Sequence, residues 1–315
     1  MLARVAGELY WLGRHVERAE HTARLLHHQL AGLADRPASE LALGWQVLYR
    51  ALKQSPSDIS VKRPDELEAF LMADAYTLAG PLVEERSNPS SVISCFAKAR
   101  ENARQVRPYL PLSVWSCLNQ GHLWMEACDF ATTWAKAPSA IVEEISDRLR
   151  LFAGVVEGQM PRDQGWHFLE LGRFLERLQN QTTLFSAWEA SLFPWDKLLR
   201  ICGAYEAYCR SHSMEVCREK AFGPLVQDPS LPRSLGFCLR EIQGLLKGIN
   251  PKAPRFPSPL ACRLVLHLIS TVEMANPAQD AAQDFLSAVE KSAHSLHDVV
   301  MKNYVDYLPK EGPDL

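Results

Sequence analysis

The chain has 315 residues, 47% of them apolar, and its 37 acidic and 34 basic residues leave a net charge of −3. That is enough apolar material for a sizeable core, in one large domain or two ordinary ones. It excludes the bulk basic field that draws in nucleic acid, and equally the strongly acidic composition of a disordered chain.

The opening stretch, MLARVAGELYWLGRHVER, does not read as a secretory signal, because Glu8, Arg14 and Glu17 interrupt what would have to be an apolar segment. Val5, Leu9, Leu12, Val16, Ala19, Ala23, Leu26 and Leu30 recur in steps of four and three, the seam of a long packed helix. The same spacing predicts helices over 40–53, 65–80, 91–107, 113–135 and 139–159. Pro56 with Pro64, and Pro108 with Pro111, mark joints between them. A shift of 159 residues brings the first seam back as Phe168, Leu171, Leu175, Leu178, Thr182 and Phe185. Further helical windows follow at 195–220, 231–247, 259–274 and 279–304. The four-proline stretch INPKAPRFPSPL (249–260) reads as an extended connector and LPKEGPDL as a frayed tail.

No stretch alternates apolar and polar residues long enough to make a strand, so the fold class is all-α. No run approaches the ~18 apolar residues of a membrane span. The eight cysteines form no CxxC pair and read as free thiols of a cytoplasmic protein.

More repeats than the first helix. Trp45, Leu48 and Arg50 are matched by Trp195, Leu198 and Arg200. NPSSVISCFAKARE (88–101) is matched by DPSLPRSLGFCLRE (228–241), with Arg100 and Glu101 on Arg240 and Glu241. Asn88 and Asp228 are suited to cap the following helices, with Pro89 and Pro229 in the first turn. The expectation is two tandem helical-bundle repeats, 1–160 and 161–315, packed about a pseudo-twofold axis.

Opposite the seam of the first helix lie Tyr10, Arg14, Glu17, Arg18, His21 and Leu25. The second copy has Leu169, Arg173, Glu176, Arg177, Asn180 and Leu184 there, with Gly13 and Gly172 beside each seam. A helix between two layers would bury these charges, and buried charges must be paired. Arg14 with Glu17, and Arg173 with Glu176, are spaced to pair along their own helices. Alternatively, Arg14, Arg18, Arg173 and Arg177 converge with Glu17 and Glu176 at a helix crossing and clamp an anionic group in bidentate forks, or the face docks a protein. In an enzyme, Glu17 and Glu176 would be acid and base.

A carboxylate-bridged di-metal bundle needs Glu-x-x-His, which is absent. The nearest approaches are His167 with Glu170, and Glu290 with His294 and His297, of which the two histidines are spaced to share a metal, and no metal is expected. The chain has no Asp-rich magnesium motif, no phosphate-cradling glycine loop and no nucleophile elbow. A binding or assembly module is the simpler expectation, with no cofactor of its own.

MLARVAGELYWLGRHVERAEHTARLL, NPSSVISCFAKARENARQVR and WHFLELGRFLER, in that order, resemble the signatures of the bacterial alpha-E domain family. The likeness covers nearly the whole chain. It implies the company of a circularly permuted ATP-grasp ligase, which would carry ATP and magnesium, and of a transglutaminase-like peptidase. It brings no established activity of the alpha-E domain itself. The family's named glutamate falls on Glu17, with Glu176 as its counterpart. Gly7 departs from the pattern, standing where members commonly have an acidic residue. The second copy also lacks the AExTARLL ending, having Gln179, Thr182 and Thr183 instead. The resulting expectation is an accessory helical protein that binds an ATP-grasp ligase and positions its peptide or small-molecule substrate. No nucleic-acid or membrane partner is expected, and a homo-oligomer is admitted.

Overall fold

The computed structural model describes residues 1–31, 33, 35–56, 70, 74–212, 215–249, 259–276 and 282–305. Among them are fourteen α-helices and no strand, so the fold is all-α. No described helix is long and apolar enough to cross a membrane.

The two long helices bearing the repeated charges, α1 (Ala3–Leu30) and α8 (Gln164–Glu189), pack against each other at the centre of the molecule. Each is one wall of a four-helix ring. α1 is joined by α4 (Val92–Gln105), α5 (Leu112–Ala127) and α7 (Pro138–Gln159), each packed on the next, with α7 returning to α1. α8 is joined in the same way by α12 (Leu235–Gly248), α13 (Pro259–Met274) and α14 (Ala282–Val300). α2 (Ala38–Leu52) crosses over to pack on α8. The short helices α3 (Ala75–Val83), α6 (Phe130–Lys136), α9 (Trp195–Ile201), α10 (Tyr205–Ser211) and α11 (Arg218–Gln227) cover the joints. A π-helical turn, Met301–Val305, brings the chain back onto α1.

One continuous core runs through both rings, with Leu9, Leu12 and Leu26 of α1 and Leu171, Leu175 and Leu178 of α8 fully enclosed. α1 and α8 therefore answer to two layers, and burial reaches the polar face of each. That is the physical reason charged residues recur opposite the apolar seam.

Three local readings are corrected by the structure. The predicted helix 113–135 is interrupted at Cys128–Asp129, because the Asp129 carboxylate accepts from the Thr132 backbone N–H and starts a new helix. The window 195–220 is three helices, broken first at Gly203, whose φ of 63° ends α9. The caps of α4 and α12 are Ser91 and Ser234, not Asn88 and Asp228. Asn88 and Asp228 instead open the preceding turns, accepting from the backbone of Ser90 and Ser230. Half of the 65–80 window (65–69 and 71–73), Pro64, residues 250–258 of the proline-rich connector and the LPKEGPDL tail lie outside the described residues.

Candidate functional site

Two glycines set the site. A Cβ on Gly13 would overlap the carbonyl oxygen of Leu169, and one on Gly172 would overlap that of Tyr10. α1 and α8 thus touch backbone to backbone, and the contact is reciprocal: each glycine sits on the residue three before the other. So close a crossing brings the long side chains one turn further on within reach of the opposite helix.

They exchange partners across it. Glu176 accepts from Nε of both Arg14 and Arg18, the latter at 2.7 Å. Glu17 accepts from Arg177 through Nε at 2.6 Å and Nη2 at 2.7 Å, and lies 3.6 Å from Nε of Arg173. The expectation of ion pairs along each helix is therefore corrected: the pairs run between helices, because the crossing places each guanidinium against the far carboxylate. Glu17 is 2% exposed and Glu176 3%. Burial alone would raise both carboxyls, but Arg177, Arg173 and Arg233 together outweigh it at Glu17, and Arg14 and Arg18 together outweigh it at Glu176, so both are held below the usual carboxylate range. The anions that these arginines grip are the protein's own glutamates.

Further residues close this lattice. Arg173 pairs with Glu170 at 2.8 Å, and Arg233 with Glu20 at 2.8 Å while lying 3.7 Å from Glu17. Arg24 holds Glu20 from the other side. Arg14 donates to Tyr10 Oη at 3.0 Å and Gln179 Oε1 at 2.7 Å. The His297 Nδ1 lies 2.7 Å from the Tyr10 hydroxyl and 3.1 Å from Arg14. Arginine can only donate, so this nitrogen is the unprotonated one. Burial, then Arg14, pushes the His297 pKa down to about 4. His294 turns its Nδ1 to the Glu290 carbonyl of its own helix. Among the described residues no group of three or more His, Cys, Asp or Glu could hold a metal.

Beside the lattice, on the Arg18–Glu176 side, a cleft of about 320 Å³ opens between α1, α8, the end of α2 and the turn before α4. Arg18, with a side chain 26% exposed, is the least buried guanidinium gripping either Glu17 or Glu176. His21, Thr22, Ser90, Gln179 and Asn180 join it in the lining. His21 Nδ1 accepts from Arg24, so Nε2 carries the proton. That Nε2–H, the Thr22 hydroxyl and the Asn180 Nδ2 are buried without a hydrogen-bond partner among the described residues. Burial, then Arg24 and Arg233, holds the His21 pKa well below its ordinary value.

Of the residues singled out in the sequence, Arg14, Glu17, Arg18, Arg173, Glu176, Arg177 and Tyr10 meet at the crossing, and His21 borders it. Arg100 instead donates to Asn119, Glu101 pairs with Arg104 on the surface, and Arg240 pairs with Glu273. Glu241 is half-buried, its pKa raised by burial and by Glu170. The register that matched Arg100 with Arg240 is also corrected: the caps Ser91 and Ser234 each precede a buried cysteine by four residues, Cys95 and Cys238. From the opening turn residue to the cap is three residues in the first case and six in the second. Arg233 sits in the longer segment. Glu20 and Arg233 carried no repeat signal and were missed, while Gln179 stood out only as a departure in the second copy, and Glu170 and His297 only as weak metal candidates.

The family model Alpha-E, described as a predicted alpha-helical domain with a conserved ER motif, matches residues 1–305. An uncharacterised protein of Mycobacterium bovis is 29% identical over 197 residues, 58% of this chain and 22% of the relative. Two uncharacterised proteins of Mycobacterium tuberculosis strains match the same shares at 29% and 28% identity. The chain spans about a fifth of the length of these curated relatives. No solved structure is matched.

Proposed function

The chain belongs to the Alpha-E family, and on that premise we propose that it is a non-catalytic helical accessory module of an ATP-grasp-dependent amide or peptide ligase system. In this reading it binds the ligase in the cytoplasm and helps position a peptide or small-molecule substrate, while ATP and magnesium stay on the partner. A transglutaminase-like peptidase is a second proposed associate. We assign the family's ER motif to Glu17-Arg18 and Glu176-Arg177, and its role to holding two repeats, 1–160 and 161–315, about a pseudo-twofold axis at the Gly13–Gly172 contact. The reciprocal glycine contacts and the crossed Arg–Glu pairs support that symmetry.

One observation carries the non-catalytic part. Glu17 and Glu176 are enclosed, ionised and each gripped by arginines of the opposite helix. A carboxylate so held has no proton to give, and both of its oxygens already accept from arginine. The partnership is tested by cross-linking and affinity capture from the native host. Recovery of an ATP-grasp protein with the wild type, and with Arg86→Ala on the surface, is expected; repeated capture without one overturns the reading.

A further inference from the structure

The Arg18–Glu176 face and the Glu17–Arg177 face of the crossing are lined unequally. On the second, Arg233 and Arg24 lie over the carboxylates of Glu17 and Glu20. By the caps of α4 and α12, the residue corresponding to Arg233 is Ser90. By the 159-residue shift, the residue corresponding to Arg24 is Thr183, and Gln179 replaces Glu20. Two guanidiniums and a carboxylate have thus given way to two hydroxyls and an amide. The space they would fill is the cleft.

From this we infer that the cleft is a binding site for an oxyanion, a carboxylate or a phosphoryl group, on a ligand of amino-acid to dipeptide size. Its buried wall offers donors beside the Glu176 carboxylate, which Arg14 and Arg18 together more than neutralise. Arg18 is there, the protonated Nε2 of His21 and the Nδ2 of Asn180 lack partners among the described residues, and Thr22 and Ser90 add hydroxyls. His21 is 1% exposed, so its unpaired N–H is withdrawn from bulk water and costs free energy unless something in the cleft accepts from it. The surroundings favour a negative charge. Arg14, Arg18, Arg24, Arg173, Arg177 and Arg233 outnumber Glu17, Glu20, Glu170 and Glu176, and His21 is neutral. A cationic surplus in a low-dielectric interior is relieved by an anion that accepts several of its hydrogen bonds. The cleft runs on past Lys53 and Thr183 to a second hollow lined by Arg50, Ser186 and Glu290. Polar groups of both signs there suit the rest of an amino acid or dipeptide. Lys53 itself is paired with Glu290. This inference stands on the cleft alone and holds whatever the partner protein is.

Calorimetric titration of the full chain with inorganic phosphate, with glycylglycine and with glycylglycine amide separates the two sources. Binding of phosphate alone marks a phosphoryl site. Binding of glycylglycine but not its amide marks a carboxylate site. Ser90→Arg, which puts back the guanidinium of the closed face, should abolish binding with the fold retained by circular dichroism. Asn180→Asp, which turns a donor into a negative charge, should weaken it by at least ~10-fold, the equivalent of one charge-assisted hydrogen bond. Saturable binding that Ser90→Arg abolishes and Asn180→Asp weakens supports the site. No binding of either anion at millimolar concentration, or binding indifferent to Ser90→Arg and Asn180→Asp, overturns it.

Discussion

Arg14 donates its Nε–H to the carboxylate of Glu176, a residue 162 positions further along the chain. The bond crosses the contact between α1 and α8, and both side chains are sealed from water. It makes the Arg–Glu lattice a tertiary object rather than a property of either helix.

Removing one carboxylate should therefore be costly. Glu17→Gln strands Arg177 with only a neutral amide in front of it, and leaves Arg173 and Arg233 less well matched. Breaking a buried pair in this way costs about 3–5 kcal/mol. Urea denaturation of Glu17→Gln and Glu176→Gln should show a loss of that order. Glu101→Gln, on an exposed pair with Arg104, should leave the midpoint unchanged.

The glycine contact makes an equally sharp prediction. Gly13→Ala and Gly172→Ala each drive a methyl into backbone that cannot yield without separating the helices, and overpacking of this kind costs about 1–3 kcal/mol or more. Gly154→Ala, on an exposed helical position where an added Cβ meets none of the described residues, should instead stabilise by about 0.5–1 kcal/mol through helix propensity. Thermal melts of the three variants should fall on opposite sides of the wild type.

Acid should unfold the protein in two stages. Burial, then Arg18, pushes His15 down to about 4, and burial with its neighbouring arginines lowers His21 and His297 as well. Below the ordinary histidine pKa of about 6.5 the unfolded chain takes up protons that the folded chain refuses. Stability is thus full above about pH 6.5 and falls as pH drops towards 4, by up to ~1.4 kcal/mol per pH unit for each such proton. Glu17 and Glu176, whose carboxyls are depressed, give stability that is present above the usual carboxylate range and lost as pH falls below it. A melting profile against pH should show the upper slope flattened in His15→Gln, with the lower stage kept.

Gly7, the departure from the family pattern, gains a physical meaning from the end of the described chain. A Cβ there would lie 2.7 Å from Cγ1 of Val305, in the turn that folds back onto α1. Gly7→Asp should push that turn away. Hydrogen exchange should rise over 301–305, while the slowest amides of α8 keep their protection.

The repeated LGRxxER carries much of this in the sequence itself. Leu9, Leu12 and Val16 declare the buried seam by their spacing, and Arg14, Glu17 and Arg18 declare a second constrained face by returning as Arg173, Glu176 and Arg177. Which charge meets which was not legible. Spacing along one helix offers Arg14 to Glu17, and only the Gly13–Gly172 contact brings Arg14 closer to Glu176. Helix ends were misjudged where a side chain competed for the backbone, as at Asp129, or where a left-handed residue stopped a helix, as at Gly203.

What the sequence determined alone is the all-α class, the long helices and the residues that must be paired, because periodicity and the cost of burying charge act locally along the chain. What the tertiary structure decided is the pairing between helices and the unequal filling of the two faces. Arg233 reaches Glu20 through a turn three residues longer than the one that presents Ser90. That difference has a consequence only where two distant segments are folded against the same pair of helices.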